Sequence, residues 1–218
     1  MKFGTRTTQV LRNFATINPS IQFNEGQTLR TISPNRTMLA KANLEDVVDG
    51  DFAIYDLSRL LGISSMFADP TFQLEERKIR IQSEGRSVSY TYADPSTIVV
   101  PPNKEIEVDN FDIQFDLTQD NLDEVMKAIG ILSLPELAVI GEGGEILLRA
   151  LDTKNPTSDK YDITVGETDK EFVAVFKTEN LKLLSDNYKV SISSQSIANF
   201  KSTDIEYWVS IESNSTFN

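Results

Sequence analysis

Two long stretches of the chain place their apolar residues at helical spacing; most of the rest alternates or clusters them in short runs. From Thr5 to Ile17, Val10, Leu11, Phe14 and Ile17 fall on one side, with Thr5, Gln9, Arg12 and Thr16 opposite. That spacing predicts an amphipathic helix. From Gln119 to Leu132, a second stripe of Leu122, Val125, Met126, Ile129 and Leu132 follows a capping Thr118. Two shorter helices are predicted as well. One runs from Leu57 to Gly62, with Asp56 as cap, Leu57, Leu60 and Leu61 as its apolar face and Gly62 as its stop. The other runs from Glu179 to Ser185 behind Thr178, although Leu181 fits a single face less well than Leu183 and Leu184.

Strands are predicted at Ser20–Phe23, Thr28–Ile32, Arg77–Gln82, Val88–Tyr92, Ala138–Ile140, Ile146–Ala150, Tyr161–Val165, Phe172–Phe176, Tyr188–Ser193 and Tyr207–Ile211. Turn signals such as Asn24-Glu25-Gly26, Asp49-Gly50 and Glu142-Gly143-Gly144 punctuate them. Many short strands and few helices predict an α+β chain with mainly antiparallel sheets.

The order of elements repeats. Val10-Leu11-Arg12 is echoed by Val125-Met126-Lys127, and Glu25-Gly26 with Leu29-Arg30 by Glu142-Gly143 with Leu148-Arg149. Ser58-Arg59-Leu60-Leu61 is echoed by Leu181-Lys182-Leu183-Leu184. Each short match alone is within reach of chance; three in the same order predict a duplicated unit. The domains expected are 1–101 and 111–218, joined by 102–110, where Pro101-Pro102-Asn103-Lys104-Glu105 reads as an extended linker.

Composition narrows the chemistry. With 218 residues, 39% hydrophobic and 25% charged, and a mean hydropathy of -0.26, the chain can bury a real core. It contains neither cysteine nor histidine. Disulfides and thiolate chemistry are excluded, and the side chain most used for acid–base work near neutrality is missing. No apolar run approaches a membrane span or a secretory leader, so a cytosolic setting is expected.

The net charge of -12 is unevenly distributed. Residues 1–109 carry 12 basic and 14 acidic groups, and residues 110–218 carry 9 and 19. Net charge does not exclude a local basic face, and the basic residues keep register across the repeat. Arg12 and Lys127 each sit opposite the apolar stripe of a long helix, and Arg59 and Lys182 match on the short ones. Such a strip could track phosphates without reading bases. For any one of these residues taken alone a solvated helix face is the better account, and Asp120, Asp123 and Glu124, which share a face with Lys127, argue against the strip.

These residues also carry a resemblance to a known family. Asn13-Phe14-Ala15-Thr16-Ile17-Asn18, Ala53-Ile54-Tyr55-Asp56-Leu57 with Leu61-Gly62-Ile63, and Ala93-Asp94-Pro95-Ser96-Thr97 with Val99 resemble the sliding clamps of T4-like bacteriophages. Tyr207-Trp208-Val209-Ser210-Ile211-Glu212 with Ser215-Thr216 is similar to that family's terminus. The likeness is concentrated in the first 101 residues.

The resemblance implies two similar clamp domains per chain and a homotrimeric ring, with sheets outside and helices lining a hole around duplex DNA. It places Arg12, Arg59, Lys127 and Lys182 toward DNA, with Arg6 and Lys177 near the helix starts. The implied partners are the replicative DNA polymerase and an ATP-driven clamp loader, with late transcription machinery as a further one, in the cytoplasm of an infected bacterium. No cofactor is implied. Partner peptides of the family dock in an apolar pocket beside the linker, for which Leu44, Val99, Val100 and Pro101 are the candidates; Val99 and Val100 also read as plain strand core.

Two other readings stay open on the sequence. Asp49-Gly50-Asp51 and the acidic run 152–162 could serve a divalent cation in an enzyme, though Asp-Gly-Asp is also a turn signal and Gly141–Gly144 lacks the Lys-Ser/Thr of a phosphate loop. An oligomeric phage structural protein would equally be acidic and rich in strands.

Overall fold

In the computed structural model, which describes residues 1–217, the first predicted stripe is fully inside: Val10, Leu11, Phe14 and Ile17 are at most 2% exposed. The chain divides into two units, Met1–Lys104 and one that begins at Glu105.

In unit 1, α1 (Thr5–Ile17) leads into β1 (Ile21–Phe23), the hairpin of β2 (Gly26–Ile32) and β3 (Met38–Val48), then β4 (Phe52–Ile54). After α2 (Leu57–Ser64) comes a meander of β5 (Thr71–Leu74), β6 (Lys78–Ser83) and β7 (Arg86–Thr91). β1 pairs antiparallel with β4, Ile21 opposite Ile54. A bulge between Gly26 and Thr28 interrupts the β2–β3 ladder, and Gly26 adopts φ +115°, which a side chain would resist. α1 lays its apolar stripe on β2 and β3 and packs beside α2. A chain of rings fills the core beneath, with centroids 4.8 Å apart for Phe3–Phe72, 4.5 Å for Phe23–Phe52 and 5.4 Å for Phe52–Tyr92.

Unit 2 opens with β8 (Ile113–Leu117) and α3 (Gln119–Leu132), followed by β9 (Glu136–Glu142), β10 (Glu145–Leu151), β11 (Tyr161–Glu167) and β12 (Phe172–Lys177). It closes with β13 (Tyr188–Ser193), β14 (Ile197–Lys201), β15 (Ile205–Ser210) and β16 (Thr216–Phe217). One antiparallel sheet runs β11-β10-β9-β12-β16, and β8, β13, β14 and β15 lie side by side in another. α3 packs on β10 and β11 through Leu122, Val125 and Ile129. Tyr188, Tyr207, Phe176 and Phe200 meet edge to face around 6 Å apart.

Two helix expectations are corrected. α2 runs through Gly62 to Ser64, so Gly62 is not its stop; its Cα faces open space and the helix continues over it. The helix expected over Glu179–Ser185 is absent. Thr178–Asn180 form one 3-10 turn, and the following residues are irregular. There the backbone finds partners outside itself: Tyr207 Oη accepts from the Leu184 amide at 3.1 Å, and Tyr188 Oη donates to the Leu184 carbonyl. Two buried tyrosine hydroxyls thus satisfy groups that a helix would otherwise pair internally.

Candidate nucleic-acid interface

Two of the expected cations of unit 1 stand on its two adjacent helices. Arg12 on α1 and Arg59 on α2 are both exposed, and neither makes an ion pair among the described residues. A shallow depression of about 230 Å³ lies where the helices meet, lined by Arg12, Ala15, Ser58, Leu61, Gly62 and Ser65. The start of α2 is fixed from two sides. Asp56 Oδ1 accepts from the Arg59 amide at 2.9 Å, and Tyr90 Oη donates to the Asp56 carbonyl at 3.1 Å. Burial, with the Asp56 charge beside it, pushes the Tyr90 hydroxyl above its ordinary pKa. Arg6 is half-buried in the first turn of α1.

In unit 2, Thr118 caps α3 by accepting from the Asn121 amide at 3.3 Å. Lys127 is exposed and without an ion pair among the described residues. The acids beside it are engaged elsewhere. Ser185 Oγ donates to Asp123 Oδ2 at 2.8 Å, and Tyr161 Oη on β11 donates to Glu124 Oε1. That bond to a carboxylate, and the negative charge it brings, hold the Tyr161 hydroxyl in its protonated form to higher pH than usual.

The other two expected cations sit differently. Lys177 ends β12 and pairs with Glu212 at 3.3 Å. Lys182 is half-buried in the irregular segment that replaces the expected fourth helix. Sequence reasoning placed it on a helix face because the Leu-Lys-Leu-Leu pattern is shared; the tyrosine hydroxyls decide otherwise. Of the six, Arg12, Arg59 and Lys127 are therefore exposed and without an ion pair among the described residues. Unit 1 carries 12 basic and 11 acidic residues, and unit 2 carries 9 and 22, so the whole acidic excess is in unit 2.

The segment after β7 is held by its backbone. Asp94 caps a 3-10 turn at Pro95–Thr97, accepting from the Ser96 amide and hydroxyl; those bonds lower its carboxyl pKa. Asn18, 2% exposed, donates through Nδ2 to the carbonyls of Ile32 at 2.9 Å and Val99 at 3.0 Å. Its Oδ1 accepts from the Ser20 amide and hydroxyl. Arg30 donates to the carbonyls of Asn103 and Lys104.

With the backbone pinned this way, Val99 and Val100 turn outward, 38% and 46% exposed, in a stretch outside any strand. This corrects the strand-core alternative for them. Pro101 is half-buried, whereas Leu44 lies inside β3 at 4% exposure and is not presented at the surface. Sequence reasoning missed Asn18 as the organiser of this segment, although the Asn18-Pro19-Ser20 turn signal was available.

Near the start of unit 2, Asp112 Oδ2 accepts from the Ser194 amide at 2.7 Å, and Lys170 Nζ donates to the Asp112 carbonyl. The hydrogen bond from Ser194 keeps the Asp112 carboxyl below the usual carboxylate range. Among the described residues no group of three or more His, Cys, Asp or Glu side chains could hold a metal ion. Scattered cations on solvent-facing helices can attract phosphates through the electrostatic effect alone, which needs no fixed partner geometry.

A family model described as DNA polymerase processivity factor matches residues 4–100, and one described as gp45 sliding clamp, C terminal, matches residues 114–213. The sliding clamp of Enterobacteria phage T4 is 33% identical over 226 residues, spanning 99% of both chains. That of Vibrio phage KVP40 is 31% identical over 220 residues, spanning 97% of this chain and 99% of its own. Among solved structures, A. fulgidus PCNA with the C-terminal region of FEN-1 gives a TM-score of 0.70 at 14% identity, covering 96% of each chain. A Helicobacter pylori beta clamp bound to a DNA ligase peptide gives 0.71 at 17% identity, covering 97% of this chain and 65% of that one.

Proposed function

From the premise that this chain belongs to the sliding clamp family, we propose that it works as a homotrimeric ring threaded by duplex DNA. It is a sliding clamp, a DNA polymerase processivity factor. The match along nearly the whole of both chains to the phage T4 clamp carries this reading. Arg12, Arg59 and Lys127 supply the phosphate-tracking cations. Such a protein should not grip: a few cations hold the duplex in place while leaving it free to slide, and the acidic bulk of the chain stays away from the phosphates.

Closing a ring head to tail needs a different sheet edge in each unit, joined by a heterologous contact. Among the described residues β7 pairs only with β6, and β11 only with β10. These edges, six and seven residues long, are the proposed joint. Arg86 on β7 and Glu167 on β11 carry opposite charge, while Arg80 and Lys78 on β6 pair with Glu75, and Asp162 with Arg149.

The replicative polymerase and a clamp loader ATPase are the proposed partners, with Val99, Val100 and Pro101 as the surface for their peptides. The setting is the infected bacterial cell, with coactivation of late transcription as a further role. The chain works as a topological tether and performs no chemistry of its own.

Light scattering across a dilution series tests the assembly. A species of three times the 24.4 kDa chain mass is expected, along with clamp-dependent processivity. A strict monomer or dimer at every concentration would overturn the ring.

A further inference from the structure

α3 looks poorly suited to lie beside DNA, since Asp120, Asp123 and Glu124 share its exposed side with the single cation Lys127. At about 100° per residue, Asp123 and Glu124 fall on either side of Lys127. Each is caught by a hydroxyl from a neighbouring element. Tyr161 Oη on β11 donates to Glu124 on one flank, and Ser185 Oγ donates to Asp123 at 2.8 Å on the other. Lys127, between them, has no ion-pair partner among the described residues. Glu124 stands three positions before Lys127, the spacing at which side chains on a helix pair. Lys127 is the one cation of α3 with which Glu124 could pair along the helix.

We propose that Tyr161 and Ser185 are positioning residues for DNA tracking: their hydroxyls hold Glu124 and Asp123 to the flanks of α3 and keep Lys127 available to phosphate. The inference rests on the reading that α3 faces DNA. Neither hydroxyl touches the duplex; each acts through the acid it holds. Both are removable with little change in shape, because Tyr161→Phe removes only the hydroxyl and Ser185→Ala acts at an exposed site.

The test is binding of the full chain to a labelled blunt duplex of about 30 base pairs, over roughly 50 to 200 mM salt. Lys127→Ala is expected to flatten the dependence of log affinity on log salt by about 0.9 for each phosphate that the lysine had neutralised. Tyr161→Phe is expected to flatten it in the same direction by about half as much, with Glu124→Gln restoring the slope and no added effect in the Lys127→Ala background. A purely structural tyrosine would lower affinity without that rescue, and would overturn the proposal. So would an unchanged slope in Tyr161→Phe where Lys127→Ala lowers it. If Lys127→Ala itself leaves the slope unchanged, the reading of α3 as DNA-facing fails, and the positioning role with it.

Discussion

The side-chain amide of Asn18 donates to the backbone carbonyl of Val99 at 3.0 Å, joining positions 81 residues apart. The same nitrogen holds the Ile32 carbonyl, and the amide oxygen is doubly used by Ser20. One buried side chain thereby ties the end of α1 to the end of β2 and to the stretch carrying Val99 and Val100.

Asn18→Ala should leave two carbonyls short of a donor, at a cost of about 1–3 kcal/mol. The expected outcome is a melting temperature several degrees lower and faster proteolysis between residues 99 and 103. An unchanged cleavage pattern would show that Arg30 alone secures that segment.

Val99→Asp should be tolerated by the fold, since surface substitutions usually stay within about 0.5 kcal/mol and Val99 is 38% exposed. Polymerase binding, measured by calorimetry, is expected to weaken. Native affinity in a folded variant would move the peptide surface away from Val99.

Reversing charge at both Arg12 and Arg59 should leave the assembly's mass unchanged while shortening clamp-dependent synthesis roughly tenfold at moderate salt. The readout is product length on a primed circular template. No change in length would remove α1 and α2 from the DNA face.

Gly141→Ala should be costly although Gly141 has no positive φ. An added Cβ would come within 2.3 Å of the Lys170 carbonyl oxygen and 2.5 Å of the Phe172 ring, where β9 pairs Gly141 with Phe172. The expected destabilisation is about 1–3 kcal/mol or more, read as a lower melting temperature. A stable variant would mean that β12 can shift away from β9 without penalty.

Asp112 makes stability depend on acid. Its carboxyl titrates lower in the folded chain than in the unfolded one, so the unfolded state binds its proton first. The contribution is present above the ordinary carboxylate pKa of about 3.9 and fades as pH falls through the lower folded value. Melting temperatures between about pH 5 and pH 2 should therefore fall less steeply in Asp112→Asn. An identical slope would assign the acid sensitivity to other carboxylates.

Periodicity located α1 and α3 to the residue, because their stripes are long; α3 also has Thr118 as its cap, whereas Gly4 starts α1 without a side-chain capping bond. β3 was not read from the sequence. Its eleven residues include Ala40, Ala42, Lys41 and Glu45, types that strands disfavour, and it is made a strand by its ladder with β2. The 181–185 segment failed for the opposite reason: local propensity was adequate, but Tyr188 and Tyr207, distant in sequence or on the next element, took its backbone partners. Among candidate site residues, exposure at Arg12, Arg59 and Lys127 follows from helix faces alone. The Lys177–Glu212 pair and the capture of Glu124 by Tyr161 are long-range interactions that no spacing rule encodes.

The tyrosine and aspartate environments have a joint effect on how the protein meets its surroundings. The chain has no histidine or cysteine, so no side chain ordinarily titrates between the carboxylates near 4 and tyrosine near 10. At five sites the fold moves titration further from neutrality, raising Tyr90, Tyr92 and Tyr161 and lowering Asp94 and Asp112. The side-chain charges therefore form a fixed plateau across the range a host cell can reach. Ionic strength can tune the hold of such a surface on a polyanion, whereas acidity within that range leaves the side-chain pattern unaltered.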